Sequence, residues 1–201
     1  MRISCLKFLT LALVLPGLVV AGAGVSWAQD VYKINYFDNN SPVATVPDAK
    51  VRIDNPGLTY GNLCAMIYVF AADQQLAECC GCVETHNGLR KLSVRTDLTK
   101  NPLTGVPLPS GVIKVISAAV NNSLCDPTSN VKPTANLRVW VTHIQDASPL
   151  GTFGGAVYPT TETESSDSTL GATELANLQA QCAFINILGS GAGICSCGVG
   201  D

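Results

Sequence analysis

Charged side chains are scarce in this chain: lysine, arginine, aspartate and glutamate together make up 13% of its 201 residues, and the formal balance is −3. No cluster of lysine and arginine stands anywhere along it. A protein that grips nucleic acid or an anionic membrane surface needs a basic stripe, so composition argues against both partners. Histidine is scarcer still, with only His86 and His143, which are not at metal-ligand spacing. No local signature places either one in a Ser-His-Asp site. The stretch Gly189-Ser190-Gly191-Ala192-Gly193 is neither a nucleophile elbow, a dinucleotide-binding turn nor a P-loop. Aromatic residues are 6% of the chain and mostly fall at core positions, leaving Tyr60, Trp140, Phe153 and Tyr158 as candidates for a sugar-stacking surface. A C-x-x-C pair opening a helix, the usual source of a depressed thiol pKa, is also missing.

What is present begins with the first 30 residues, MRISCLKFLTLALVLPGLVVAGAGVSWAQD. Cationic Arg2 and Lys7 precede an apolar run from Phe8 to about Ala23, and Ser26 and Ala28 supply the small groups that a signal peptidase reads. Residues 1–28 therefore read as a secretory signal peptide. An uncleaved membrane anchor is the alternative, but Pro16, Gly17, Gly22 and Gly24 weaken a long helix there. Cleavage leaves no expected membrane span. It also removes two basic residues and no acid, taking 12 basic against 15 acidic to 10 against 15, a balance of −5. Roughly 170 remaining residues suit one domain with an ample core.

Beyond Cys5, the chain keeps Cys64, Cys79, Cys80, Cys82, Cys125, Cys182, Cys195 and Cys197. Eight cysteines in an exported chain predict disulfides. Cys79 and Cys80 are adjacent and on a strand point to opposite faces, so each requires its own distant partner. The close pair Cys195-Ser196-Cys197 offers partners, which predicts a C-terminal tail stapled back onto the Cys79 to Cys82 corner. A thiolate metal site is the competing reading; the spacings between neighbouring cysteines are CC, C-x-C and C-x-C. No cofactor or metal is expected.

Residues 29–37 (QDVYKINYF) alternate, with Tyr32, Ile34 and Tyr36 on one face and Lys33 and Asn35 on the other, which predicts a half-buried strand. Further strands are predicted at 49–53, 62–70, 75–79, 89–96, 112–118 and 137–144, the run at 62–70 being apolar on both faces. Leu92 and Val94 should point inward. Residues 97–111 form a Pro/Gly-rich loop, and the acidic stretch 160–168 (TTETESSDS) reads as an exposed loop. Oxygen ligands for calcium could come from that loop or from Asp38-Asn39-Asn40, but no EF-hand order is present. Asn39-Asn40-Ser41 and Asn121-Asn122-Ser123 match the short glycosylation pattern. Leu175, Leu178, Cys182 and Ile185 recur at helical spacing and predict one helix over 173–188, capped by Thr173, stopped by Gly189 and packed through that face. The tail 189–201 is too glycine-rich for regular structure without cysteines to hold it. The fold class expected is mainly β, an antiparallel sandwich of immunoglobulin-like or pilin-like type over 29–201, with one C-terminal helix and a disulfide-stapled tail.

The blocks YGNLCAMIYVFAADQQLAECCGC and LSVRTDLTKNPLTG resemble exported, cysteine-rich proteins of environmental bacteria over about residues 49–145. That resemblance implies export and no particular activity.

Export, few charges, dense cysteine and strand-rich pattern point to an extracellular or cell-surface structural subunit that assembles with copies of itself into a filament or surface layer. Residues 29–48 supply a first strand which could instead be donated to a neighbour through Val31, Tyr32, Ile34 and Tyr36. An adhesin or carbohydrate-binding module recognising surface glycans is the alternative. A secreted hydrolase comes third, for want of a paired acid and base.

Overall fold

The computed structural model describes residues 29–38, 48–58, 61–99, 108–122, 124–129, 131–144, 159–188 and 194–197. The proposed leader, Cys5, Asn39 to Ser41, Ser123, Tyr60, Phe153, Tyr158, Gly189 and the loop segment 100–107 lie outside them. The protein is mainly β, and its described residues form two antiparallel sheets and one α-helix. The strands are β1 (Tyr32–Asp38), β2 (Lys50–Asp54), β3 (Leu63–Ala71), β4 (Leu76–Glu84), β5 (Leu89–Ser93), β6 (Ser110–Ala119), β7 (Arg138–Ile144), β8 (Thr160–Glu164) and β9 (Ser166–Ser168), and the helix is α1 (Ala172–Leu188). One sheet has the order β4-β3-β6-β1-β9 and the other β5-β2-β7-β8.

The continuous apolar run of β3 is explained by its place between β4 and β6. Its alternate residues Leu63, Ala65, Ile67 and Val69 join Phe37, Ile113 and Val115 against Val51, Ile53, Leu92, Val139 and Val141 of the second sheet. Fully burying each aliphatic side chain in that interior stabilises the fold by about 1.5–3 kcal/mol. The intervening residues Cys64, Met66 and Tyr68 face the other way, into a second cluster with Tyr32, Ile116, Leu170, Leu178 and Cys182. The five-stranded sheet is thus covered on both faces, by the four-stranded sheet and by α1.

Four expectations need correction, the fourth of them at the end of β5. Residues 160–168 are not a loop: β8 pairs with β7, and after buried Ser165 the chain crosses to the other sheet, where β9 pairs with β1. This polar run serves as the outer strand of both sheets, and because nearly all its side chains are exposed it carries no period-two signal. The two faces of β1 are not as expected: the side carrying Lys33, Asn35 and Phe37 is buried, while on the other Tyr32 is buried, Ile34 half-buried and Tyr36 exposed. The Lys33 ammonium sits between the carboxylates of Asp30 and Asp167, and Asn35 Nδ2 donates to Thr163 O and Ser165 Oγ, both at 3.3 Å. The crossing at Ser165 supplies those partners. Finally, α1 begins at Ala172, so Thr173 lies inside its first turn, and Leu175 N–H bonds Gly171 C=O at 3.0 Å.

Strand β5 ends at Ser93 instead of running to Thr96, giving way to a single wide turn at Val94–Leu98. Side chains take the backbone donors there: Asp97 Oδ2 accepts from Ser93 N–H (2.7 Å), Asp48 Oδ1 from Arg95 N–H (2.9 Å) and Ser93 Oγ from Thr96 N–H (3.0 Å). Leu92 and Val94 nevertheless both point inward and are buried.

Candidate functional site

The chain's densest chemistry lies at β4, the end strand of the five-stranded sheet. A free end strand exposes a row of unpaired N–H and C=O groups that can template aggregation. The sequence Glu78-Cys79-Cys80-Gly81-Cys82 closes that edge. Strand alternation sends Cys79 toward the helix side and Cys80 and Cys82 into the inter-sheet interior. Cys79 bonds Cys182 of α1, with Cα atoms 5.8 Å apart. Cys80 bonds Cys195 and Cys82 bonds Cys197, at 5.1 and 5.5 Å, so the tail is held by two parallel rungs. Residue 194 runs parallel to Cys79, and Cys195 N–H donates to Cys79 C=O at 3.2 Å. The fourth disulfide, Cys64–Cys125, ties the segment after β6 to β3. All eight cysteines named from the sequence are therefore paired, over separations of 61, 103, 115 and 115 residues.

Gly81 fits the corner for a steric reason. A Cβ there would land on the backbone carbonyl of Cys125, so only glycine lets the Cys64–Cys125 segment lie against β4. Arg90, on β5, completes the clamp from the other sheet. Its Nε donates to Glu84 Oε1 (2.6 Å), its Nη2 to Val83 O (2.8 Å) and its Nη1 to Cys197 O. Burial raises the Glu84 pKa above the ordinary glutamate value, with the Arg90 guanidinium acting in the opposite direction. Ser196 N–H reaches Asp97 O at 2.9 Å, fixing the tail against the turn after β5.

The helix is seated at its other end by polar contacts. Glu174 Oε1 accepts from Lys114 Nζ (2.7 Å) and from Tyr32 Oη (2.8 Å). The Lys114 hydrogen bond, with the Tyr32 bond in support, holds the Glu174 carboxyl below its ordinary range despite partial burial. Lys114 also lies over the Phe70 ring at 4.8 Å.

The sulfurs of Cys80, Cys82 and Cys197 lie within 4.8 Å of one another, close enough for a thiolate metal site. As cystines they carry no thiolate to offer an ion. His86 sits exposed in the β4–β5 turn, while His143 is buried on β7 with Nε2 2.7 Å from Thr163 Oγ1. Burial lowers the pKa of His143, with Asp38 opposing. Tyr36 stacks on it with ring centroids 4.1 Å apart. An open groove of about 570 Å³ runs beside that stack, lined by Ile34, Asn35, Tyr36, Val112, Thr163 and Ser166.

Of the residues named for strand donation, Val31 precedes β1, and Tyr32, Ile34 and Tyr36 lie in it. β1 pairs along its length with β6 and through residues 32–34 with β9 of its own chain. Trp140 is half-buried on β7. Arg90 and Glu84 escaped the sequence reading because their partnership is tertiary. Gly81 had a visible signal, a glycine between cysteines in a buried strand. Four disulfides suit an oxidising environment, and no described helix is long and apolar enough to cross a membrane. No protein-family model matches the chain, and neither the curated proteins nor the solved structures yield a significant match.

Proposed function

We propose that this protein is a structural subunit exported by cleavage of residues 1–28, which works outside the cell by assembling with copies of itself into a filament or surface layer. The observation that carries the reading is the doubly cross-linked tail along β4, joined by a third bridge to α1. A domain of this size with a two-sided core does not need disulfides to fold, since that need is felt below about 80 residues. Four bridges are better understood as resistance to unfolding and proteolysis where no chaperone can rescue the chain. The finer architecture, a sandwich of immunoglobulin-like or pilin-like type, belongs to the same proposal and is supported by the single interior the two sheets share. Electron microscopy of the native extracellular material tests it: filaments or ordered layers are expected, and dispersed monomers would refute it. Donation of the first strand would exchange the β1–β6 register between copies, and deletion of residues 29–40 tests that route: a stable monomer that no longer polymerises supports it, unchanged assembly rules it out.

A second reading, recognition of surface glycans, is favoured by one feature. Tyr36 is 54% exposed, held flat by its stack on His143 and bordered by Asn35, Thr163 and Ser166. An immobilised aromatic beside hydrogen-bonding groups suits a sugar ring. Glycan-array binding that vanishes in Tyr36→Ala supports this reading, and its absence removes it.

A further inference from the structure

The four cysteines of the two tail rungs are unequally sheltered. Cys80, Cys82 and Cys195 are buried, at 2%, 1% and 4% exposure, whereas Cys197 is half-buried. Thiol–disulfide exchange needs a thiolate to reach a sulfur, so an external thiol enters this pair of bridges at Cys197. Attack there forms a mixed disulfide on Cys197 and expels Cys82 as the thiolate. The sulfurs of Cys80, Cys82 and Cys197 lie within 4.8 Å of one another, so the released sulfur stands beside the remaining Cys80–Cys195 bridge. The other bridges lack such a neighbour. Cys79 and Cys182 are both fully buried on the opposite face of β4. Cys125 is half-buried like Cys197, but among the described residues no third sulfur lies within the same distance of both Cys64 and Cys125, and exchange there goes no further.

Cys80 and Cys82 can also bond each other. Both project into the inter-sheet interior from one face of β4. Two residues along a strand have Cα atoms about 6.6 Å apart, inside the span a disulfide bridges. Gly81 between them gives the backbone the freedom such a small ring requires. Attack of the Cys82 thiolate on Cys80 Sγ forms Cys80–Cys82, breaks Cys80–Cys195 and leaves Cys195 as a thiolate that takes a proton from water. If the external reagent is a dithiol, its second thiol then displaces Cys197 and closes the reagent's own disulfide. The reagent gives up two electrons and two protons, and the protein gains two thiols, at Cys195 and Cys197.

We propose that Cys80, Cys82, Cys195 and Cys197 form a two-electron latch, in which one dithiol opens both tail rungs because the second rung is passed along β4 and kept as Cys80–Cys82. Opening removes the Cys195 N–H bond to Cys79 C=O and uncovers the outer edge of β4, while Cys79–Cys182 still holds α1 in place. The latch belongs to the single chain and operates whether or not copies assemble.

Partial reduction tests this: the oxidised chain is treated with one equivalent of dithiothreitol, quenched in acid, alkylated and mapped by mass spectrometry. A tail peptide alkylated at both Cys195 and Cys197, together with a β4 peptide carrying an internal Cys80–Cys82 link, is expected. Alkylation of Cys82 and Cys197 with Cys80–Cys195 intact overturns the relay. A second measurement uses Cys82→Ser with Cys197→Ser, which keeps the buried Cys80–Cys195 bridge and removes the neighbouring thiolate, with circular dichroism confirming that its strands are retained. An internal thiolate acts at an effective concentration of about a millimolar or more, so with submillimolar reagent the bridge is expected to open at least about tenfold more slowly in this variant than in wild type. Equal rates in the two proteins overturn the latch.

Discussion

Removing the bridge between β4 and α1 by Cys79→Ala with Cys182→Ala tests the clamp quantitatively, because its worth depends on the bridge next to it. Alone, the Cys79–Cys182 disulfide closes a separation of 103 residues, which chain entropy values at about 4.7 kcal/mol. With Cys80–Cys195 in place the shortest path runs from Cys79 to Cys80, across to Cys195 and back to Cys182. That ring holds about 15 residues and is worth about 3 kcal/mol. The double substitution is therefore expected to cost about 3 kcal/mol in the otherwise intact chain and more than 4 kcal/mol when Cys80, Cys82, Cys195 and Cys197 are already alanine. The two rungs behave alike: with one formed, the other closes only a tiny ring and adds about 2 kcal/mol, whereas the last rung closes the ring of about 15 residues shared with the helix bridge, so losing both costs about 5 kcal/mol, more than twice the loss of one. Urea unfolding without reductant, read by fluorescence and circular dichroism with the m-value checked, supplies each free energy. A cost for the helix bridge that is the same with and without the tail rungs would refute the nested-loop reasoning.

Gly81→Ala forces a methyl group onto the Cys125 carbonyl and is expected to destabilise by about 2–3 kcal/mol, measured as a lower denaturation midpoint with the disulfides still formed. Arg90→Ala strands the buried Glu84 carboxylate and frees the tail carbonyl, so a loss of about 3 kcal/mol is expected, whereas Glu84→Gln, which still accepts from Nε, should cost under about 1 kcal/mol. For Glu174 the folded pKa is depressed, so its contribution is present above the ordinary glutamate range and disappears as pH falls through the lowered value. Glu174→Gln should accordingly lower stability at neutral pH by about 0.5 kcal/mol after allowing for solvent screening, with the gap to wild type closing in acid. Stability curves for the two proteins across the acid range check that sign.

Legibility followed burial geometry. Strand β3 was readable because both of its faces are buried, which leaves an unbroken apolar run at 63–69. The opposite-facing partners of Cys79 and Cys80 follow from strand alternation alone. The acidic run at 160–168 was not readable as strand, since a segment wet on both faces has no hydrophobic period to detect, and only its threonines hint at extended backbone. Lys33 and Asn35 looked like the solvent face of β1 because nothing local announces that Asp167, Thr163 and Ser165 return to meet them. The inward face of α1 was found from Leu175, Leu178, Cys182 and Ile185. Its exposed Phe184, Ile187 and Leu188 do not repeat at the alternating spacing of three and four that marks a single apolar face.

Peptide mapping of the unreduced protein by mass spectrometry tests the clamp most directly. Cross-linked peptides joining Cys64 to Cys125, Cys79 to Cys182, Cys80 to Cys195 and Cys82 to Cys197, with no free thiol, are expected. Free thiols at β4, other partners for its three cysteines, or an ion retained by Cys80, Cys82 and Cys197 would contradict it.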